Sequence, residues 1–343
     1  MVAPGGGGGG AASWPSEGEL DVVRAKVVEI SGRGAGEVRV VACPYRICPL
    51  GAHIDHQGGT VTAMTINYGV LLGFVASDDA EISLQSGQFE GVIRFRVDDL
   101  QKPIENPENI NWESYARGAV YALQNFGYDL KKGIIGYISG VKGLDSSGLS
   151  SSAAVGIAYL MALENVNDLV VSPVDNIQLD KSIENKYLGL ENGILDPSAI
   201  LLSRYGYLTF MDCKVVLSLV DTILFSSNTV NPAIYEAQKC ILEENLARRA
   251  EHYFSEMKRV VKGSKEMIQL YEILLKAPGV LGARFSGAGF RGCCLAVVES
   301  GHAEAAAAFV RAEYEKAQPE LVSKIPPGRR VLVCEPGDGA RVI

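Results

Sequence analysis

The sequence predicts an α+β protein built from two domains. Short β-branched runs alternate with segments whose apolar residues repeat at helical spacing, but strands and helices follow no regular cadence. The length of 343 residues favours two domains over one. With 47% hydrophobic and 21% charged residues, the composition is that of an ordinary globular protein, which excludes a disordered or fibrous chain.

The chain divides into three stretches. Residues 1–15 contain six consecutive glycines and are expected to form a disordered tail. Residues 16–212 form the predicted N-terminal domain and residues 213–343 the predicted C-terminal domain. The boundary is placed after Asp212, where an apolar strand gives way to an apolar, serine-rich stretch.

Periodicity gives the expected elements along these domains. The first helix, over 16–30, carries Glu17 and Glu19 near the positive end of its dipole. Further helices are predicted over 113–126, 150–164, 174–188, 236–261, 266–275 and 303–317. Strands are predicted over 38–43, 70–76, 92–97, 133–139, 205–211, 283–286, 292–298 and 331–334.

Charge, apolar runs and cysteines restrict the function classes. A formal charge of −8 argues against a nucleic-acid binder, and no apolar run is long enough for a membrane span. Seven scattered cysteines without paired C-x-x-C spacing favour reduced thiols. The N-terminus has neither the basic start nor the apolar core of a signal peptide. We therefore expect a cytoplasmic protein, a monomer that acts on small molecules.

The strongest local motif is a serine- and glycine-rich run, residues 143–156, that passes directly into an alanine-rich helix. Gly148 lets the backbone approach a phosphate, and the free NH groups of the first helical turn face the anion. A serine-rich helix cap is the alternative interpretation, and the run lacks a Walker lysine. The candidate phosphate-binding residues are Ser147, Gly148, Leu149, Ser150, Ser151 and Ser152.

A second motif spans residues 45–59 and concentrates ionisable groups beside glycines. It contains Arg46, His53, Asp55 and His56, and it ends at Gly59. Clustered His and Asp could chelate a metal, but without further ligands nearby they suit a polyhydroxylated molecule better. A polar turn is the other interpretation.

A third motif, residues 282–294, carries Gly287, Gly289 and Gly292 between two strand-like runs. Alone it is explained by a glycine-rich hairpin. The order and spacing of the three motifs resemble those of the GHMP kinase superfamily of small-molecule kinases. The resemblance covers about residues 19–212 and 268–342, is galactokinase-like, and is strongest to kinases that phosphorylate D-galacturonate at its anomeric hydroxyl.

The resemblance implies a fold, two substrates and a catalytic pair. The implied N-terminal domain is like domain 2 of ribosomal protein S5, and the implied C-terminal domain is ferredoxin-like. ATP and a sugar acid are the implied partners. Arg46 and Asp196 match the family residues around the hydroxyl to be phosphorylated. A carboxylate there can accept the hydroxyl proton, while a guanidinium keeps it ionised.

The resemblance also implies a magnesium ion and an adenine pocket. Glu184 matches the magnesium-binding glutamate of the family, with Ser151 and Ser152 as hydroxyl ligands. Trp112 and Tyr115 match a stretch near the adenine, although core packing is an equal use for them. Gly287 and Gly289 belong to the implied ATP site.

Ala52 is the most informative departure from the galactokinase pattern, which has a glutamate directly before the motif histidine. A carboxylate there would repel a sugar oxidised at the outer carbon, so Ala52 favours a uronic acid. His53, Asp55, His56 and Gly59 would then surround the sugar. No cation for the uronate is identified.

Two other departures from the family pattern argue for a function other than galacturonate phosphorylation. Between Asp212 and Gly279 the chain is shorter than the family pattern by several tens of residues. Pro197 follows Asp196 and is expected to push it toward extended backbone, which would misplace its carboxylate. A catalytically silent ligand-binding protein, or a galactokinase, therefore stays open as an alternative.

Overall fold

A computed structural model of the chain describes residues 14–51, 55, 59–140, 149–213, 265–286 and 293–343. Its strands are β1 (Arg39–Leu50), β2 (Thr60–Ala76), β3 (Glu81–Ser86), β4 (Val92–Arg96), β5 (Ile134–Gly140), β6 (Thr209–Asp212), β7 (Val280–Phe285), β8 (Cys294–Val298) and β9 (Arg341–Val342). Its helices are α1 (Glu17–Ser31), α2 (Trp112–Asn125), α3 (Ser151–Val166), α4 (Pro173–Ser182), α5 (Leu195–Leu202), α6 (Lys265–Lys276), α7 (Ala303–Ala317) and α8 (Pro319–Ser323). No helix in these ranges is both long and apolar enough to span a membrane.

Seven strands form the main sheet, in the order β4-β3-β5-β2-β1-β9, with β6 paired to β2. Every pair is antiparallel except β3 with β5. The long strand β2 is the centre of this sheet because it pairs with β1, β5 and β6. The mixed pairing confirms the predicted α+β class.

Alternating residues of β1 divide the core between the two faces of the sheet. Val41 and Cys43 lie in the large cluster formed with α2, α3 and α4. Val40 and Ala42 face the other way and pack against Leu20 and neighbouring residues of α1. The faces therefore differ: three helices cover the one that carries the candidate site, and α1 covers the other.

The C-terminal part packs a hairpin against helices and then returns to the main sheet. Strands β7 and β8 are antiparallel, and Leu274 of α6, Ala283 of β7 and Val310 of α7 share a core. The chain then runs back to β1, where Val342 pairs with Val41. The division into two domains stays a prediction, because the stretch after the proposed boundary lies outside the described residues.

Most predicted elements are confirmed within one to four residues at their ends. These are the helices predicted at 16–30, 113–126, 150–164, 266–275 and 303–317, and the strands predicted at 92–97, 133–139, 283–286 and 292–298. Ser16 caps α1 through a capping box with Glu19, as a serine before a glutamate predicts. The helix predicted over 236–261 lies outside the described residues.

Other predictions are wrong in extent or type. The first strand continues to Leu50 and the second begins at Thr60, so both enter the predicted sugar motif. Residues 331–334 form no strand. The edge strand of the sheet is instead Arg341–Val342, and two residues are too few to show the alternation of apolar and polar residues that predicts a strand. Trp14, assigned to the tail, packs beside α1.

Candidate active site

Arg46 and Asp196 form a close ion pair across 150 residues of sequence. Asp196 lies in the first turn of α5, and its Oδ1 accepts hydrogen bonds from Arg46 Nε at 2.8 Å and Nη2 at 2.7 Å. The side chains are 11% and 24% exposed, respectively. The aspartate therefore keeps access to a ligand while the charge-assisted bonds fix its direction.

The same arginine connects this pair to the predicted phosphate-binding turn. Arg46 N donates to Leu149 O at 3.2 Å. The pairing of β1 with β2 shifts register between Pro44 and Arg46, so β1 is irregular where it meets the turn. Such irregularities in strands commonly redirect a side chain. The predicted catalytic pair and phosphate-binding residues therefore lie side by side.

Ser150 has a backbone conformation that distinguishes the turn from an ordinary serine cap. Its φ is +61°, in the left-handed region, and its side chain makes no capping hydrogen bond to α3. The buried Oγ has no hydrogen-bond partner among the described residues. A non-glycine residue in this region is strained, and such strain concentrates at functional sites. The serine cap that the sequence left as an alternative is therefore absent at Ser150.

Asp55 fixes the start of the helix that carries Asp196. Its Oδ2 accepts a hydrogen bond from Leu195 N at 3.0 Å. Gly193 makes this approach possible, because a Cβ there would lie 1.8 Å from the same oxygen. The sequence predicted Asp55 as a sugar ligand, which stays a prediction; the structure shows that it contacts the start of the helix that carries Asp196.

The expectation that Pro197 would force Asp196 into extended backbone is wrong. Asp196 is helical, and Pro197 occupies the third position of α5. The first turn of a helix has NH groups without helical partners, so a proline there costs little hydrogen bonding. The Arg46 pair forms with Pro197 in place.

Glu184 is buried beside this pair, in a π-helical turn that runs from Ile183 to Tyr187 after α4. Burial raises its pKa to about 7, an effect that Asp196 reinforces and that Asn192, Ser152 and Arg46 oppose. Neither carboxylate oxygen makes a hydrogen bond of normal geometry among the described residues, although the side chains of Ser152 and Asn192 lie close enough to lower its pKa. A buried carboxylate without such a bond fits a cation ligand, and Ser152 supplies a hydroxyl in its vicinity.

Asn185 closes the loop between Glu184 and Asp196. Its Nδ2 donates to Asn192 O at 2.9 Å, and its Oδ1 accepts from Asn192 N at 3.1 Å. This reciprocal pair sets the distance between the π turn and the start of α5. Sequence reasoning missed Asn185, because an asparagine beside an acidic residue has no distinctive pattern.

The aromatic residues assigned to the adenine pocket both contact the core. Trp112 begins α2 and stacks on Phe89, with ring centroids 6.3 Å apart and planes 10° from parallel. Phe89 is half exposed, so this pair offers an aromatic surface to a ligand. Burial raises the pKa of the Tyr115 hydroxyl, and the charges of Glu184 and Asp180 add to the shift.

Several predicted site residues lie outside the described part of the chain. Gly59 is described, and its carbonyl accepts from Cys213 N at 3.3 Å, next to β6. The assignments that lie outside are Ala52, His53, His56, Ser147, Gly148, Gly287 and Gly289. Their roles stay predictions.

Asp180, one helical turn before Glu184, is a buried carboxylate that the sequence analysis did not single out.

Two family models match the chain. The model of the GHMP kinase N-terminal domain matches residues 114–204, and that of the GHMP kinase C-terminal domain matches residues 230–316. The first range contains Glu184, Asp196 and the described part of the phosphate-binding turn. Together the models cover more than half of the chain.

Curated relatives and solved structures agree with these models. A galacturonokinase of Arabidopsis thaliana is 50% identical over 96% of this chain and 100% of its own length. A galactokinase of Clostridium perfringens is 30% identical over 76% and 86%, respectively. The crystal structure of Lactococcus lactis galactokinase complexed with galactose superposes with a TM-score of 0.71 at 24% identity, covering 94% and 99% of the two chains. Methanococcus jannaschii mevalonate kinase superposes with a TM-score of 0.59 at 15% identity, covering 89% and 96%. Both superpositions are similarities of fold.

The alignment with the Arabidopsis protein also measures the shortening that the sequence predicts. It extends over 422 residues, which exceeds the 343 residues of this chain by 79. At least that many positions of the relative therefore have no counterpart here. The chain lacks part of what its relative contains.

Proposed function

Because the chain belongs to the GHMP kinase family, we propose that it transfers the γ-phosphoryl group of ATP to the anomeric hydroxyl of D-galacturonate. The products are galacturonate 1-phosphate and ADP. The 50% identity to a galacturonokinase over 96% of this chain supports the substrate. The observation that carries the proposal is the Arg46–Asp196 pair, held against the phosphate-binding turn by the bond from Arg46 N to Leu149 O.

In this mechanism Asp196 orients the anomeric hydroxyl and accepts its proton as the bond to phosphorus forms. Arg46 keeps the aspartate ionised and offsets negative charge on the moving phosphoryl group. A loose transition state demands little help from a base, so the main contribution of the pair is to position the hydroxyl. Asp55 and Asn185 act through Asp196 by fixing the start of α5.

The phosphate-binding turn holds the triphosphate. We assign the phosphate oxygens to the NH groups and hydroxyls of residues Ser147 to Ser152, and the dipole of α3 favours their negative charge. Trp112, beside Phe89, offers a face to the adenine, and Gly287 and Gly289 border the nucleotide.

Magnesium fits the residues present, because Glu184 is a buried carboxylate whose oxygens make no hydrogen bond of normal geometry among the described residues and which has the Ser152 hydroxyl close by. Glu184 would hold the ion together with Ser151 and Ser152. The ion would neutralise part of the negative charge of the phosphates. Among the described ranges, no group of three or more His, Cys, Asp or Glu side chains is placed to hold a metal.

The sugar acid is selected around the motif at 45–59. Ala52 removes the repulsion that a carboxylate would exert on a uronate, and His53, Asp55, His56 and Gly59 surround the sugar hydroxyls.

We further propose that the protein acts as a cytoplasmic monomer. Size-exclusion chromatography with light scattering measures its oligomeric state.

A coupled assay of ADP formation tests the substrate. We expect turnover with D-galacturonate and at least about tenfold slower turnover with D-galactose, the factor that about 1.4 kcal/mol of discrimination gives. Equal turnover of the two sugars, or faster turnover of galactose, would contradict the role assigned to Ala52. An Ala52→Glu variant sharpens the test, since the added carboxylate should shift the preference toward galactose.

A ligand-binding protein without kinase activity is the second candidate function. The observation in its favour is the absence of at least 79 positions that the Arabidopsis protein has. It predicts binding of ATP or galacturonate in calorimetry with no ADP formed. ADP formation that depends on both substrates would exclude it.

A further inference from the structure

We propose that Asp180 and Glu184 together bind a divalent cation beside the first turn of α3, so that Asp180 is a second carboxylate of the magnesium site. The inference rests on the proposed function, from which it takes Glu184 as a magnesium ligand. The proposed function gives no role to Asp180. The inference assigns it the role of a ligand for a hard divalent cation.

The burial of both side chains is the first support. The exposed fractions of Asp180 and Glu184 are 0% and 1%. Both carboxylate oxygens of Asp180 lack a hydrogen-bond partner among the described residues. Glu184 has, in the same part of the chain, only the side chains of Ser152 and Asn192 as polar neighbours that lower its pKa, apart from the charge of Arg46. An isolated buried carboxylate costs several kcal/mol, so it is normally paired, protonated or bound to a metal.

The placement of the pair is the second support. Asp180 lies in α4 and Glu184 in the π turn that continues it, four residues later, so the two carboxylates are neighbours along one face. Opposite them stands α3, where Gly156 leaves room for Asp180. A Cβ at Gly156 would lie 2.5 Å from Asp180 Oδ1. Beside Glu184, Ser152 supplies a hydroxyl at the first turn of α3.

The surrounding charges make a cation necessary if both groups are ionised. Asp180 experiences the negative charges of Glu184 and Asp196, and burial raises its pKa. Arg46 acts on Glu184, but its guanidinium already binds Asp196. Magnesium typically uses one or two protein carboxylates and fills the rest of its shell with water and phosphates. This pair matches that ligand count.

A titration of the nucleotide-free full chain with Mn²⁺, followed by electron paramagnetic resonance of the free ion, tests the proposal. We expect one site in the wild type and an affinity at least about tenfold weaker in Asp180→Asn, which keeps the shape and removes the charge. The matched control is Asp168→Asn, an exposed residue beyond the far end of α3 whose positive φ asparagine tolerates. It should bind Mn²⁺ like the wild type.

A second variant keeps the test decisive if Asp180→Asn does not fold. Gly156→Ala retains both carboxylates but displaces Asp180, so it should also weaken Mn²⁺ binding. Without metal, Asp180→Asn should melt close to the wild type, because the amide keeps the shape of the carboxyl group.

Unchanged Mn²⁺ affinity in Asp180→Asn, or no nucleotide-free binding in the wild type, would overturn the inference. Kinase assays on the wild type separate this result from the proposed function. An inactive wild type whose Mn²⁺ binding depends on Asp180 contradicts only the proposed function. An active wild type whose Mn²⁺ binding ignores Asp180 contradicts only the second carboxylate.

Discussion

Two buried glutamates lie at opposite ends of the interface between α3 and α4. Glu164, near the C-terminal end of α3, accepts a hydrogen bond from Asn176 Nδ2 at 3.2 Å. Glu184, near the N-terminal end of α3, makes no hydrogen bond of normal geometry among the described residues and has the side chains of Ser152 and Asn192 as polar neighbours. Burial raises the pKa of each to about 7.

The comparison shows that a raised pKa reports burial and does not by itself identify a site. Glu164 is surrounded by core residues and one amide, whereas Glu184 lies beside Asp196, Ser152 and Asp180. Because perturbed groups occur in structural as well as catalytic settings, the neighbours decide the assignment. Changes at the Glu184 end should therefore alter catalysis, and changes at the Glu164 end should alter only stability.

The largest effect is expected for Asp196→Asn. The amide can still accept a bond from Arg46 but cannot take the hydroxyl proton, so kcat should fall by about 10²- to 10⁴-fold. The coupled ADP assay measures the loss, and the melting temperature should remain close to that of the wild type. The exposed substitution Asp168→Asn is the control. Full activity in Asp196→Asn would remove the aspartate from the reaction.

Arg46→Lys should have the next largest effect. Lysine keeps the positive charge but cannot direct two N–H groups at Asp196 Oδ1, so kcat should fall by about 10- to 100-fold. The backbone bond to Leu149 is retained, and ATP affinity in calorimetry should change little. Arg94→Lys, on the exposed side of β4, is the matched control. A kcat equal to that of the wild type in Arg46→Lys would show that the two hydrogen bonds from the guanidinium group to Asp196 are not needed for catalysis.

A smaller effect is expected for Asn185→Ala, which removes both bonds to Asn192. Asp196 then loses part of its positioning, and kcat should fall several-fold while the KM for ATP is unchanged. Asn165→Ala, on the exposed side of α3, provides the comparison. A change confined to the melting temperature would assign Asn185 a purely structural role.

The smallest effect on catalysis belongs to Glu164→Gln, which should leave kcat unchanged and alter the pH dependence of stability. Since the folded pKa of Glu164 is raised from 4.5 to about 7, the folded state holds more protons than the unfolded chain between these values. This contribution to stability is complete below pH 4.5 and is lost by about pH 7. Urea denaturation should show the wild type losing up to about 1.4 kcal/mol per pH unit relative to the variant in this window.

Glu191→Gln, an exposed substitution, controls for the loss of one charge and should give a profile parallel to that of the wild type. A parallel profile for Glu164→Gln as well would show that Glu164 titrates normally. A changed kcat or KM in Glu164→Gln would contradict the claim that changes at the Glu164 end of the interface affect only stability.

Sequence patterns were sufficient for the fold class and for most helices because those depend on local periodicity. They failed where long-range packing decides. The helix α5 was not predicted because Pro197 was expected to keep Asp196 extended, yet Asp55, far away in the chain, accepts a hydrogen bond from the first residue of this helix. Strand β3 was not predicted although Ile82 and Leu84 alternate with polar residues, because two apolar residues are too few to distinguish a half-buried strand from a polar loop.

The residues of the candidate site also differ in whether the sequence alone could predict them. The motif at 45–59 pointed to Arg46, but that this arginine meets Asp196 followed only from the family resemblance. A charged residue within a helical pattern is usually solvated, so Asp180 gave no signal. Its burial depends on the missing side chain of Gly156 in another helix, a relation that a single sequence does not contain.

Phosphorus NMR of the reaction mixture tests the central claim most directly. With ATP, magnesium and D-galacturonate, the wild type should produce a phosphate monoester resonance coupled to the anomeric proton, together with ADP. Asp196→Asn should form both at least about 10²-fold more slowly. A wild-type mixture that contains only unreacted ATP, or an ester on another hydroxyl, would contradict the assignment.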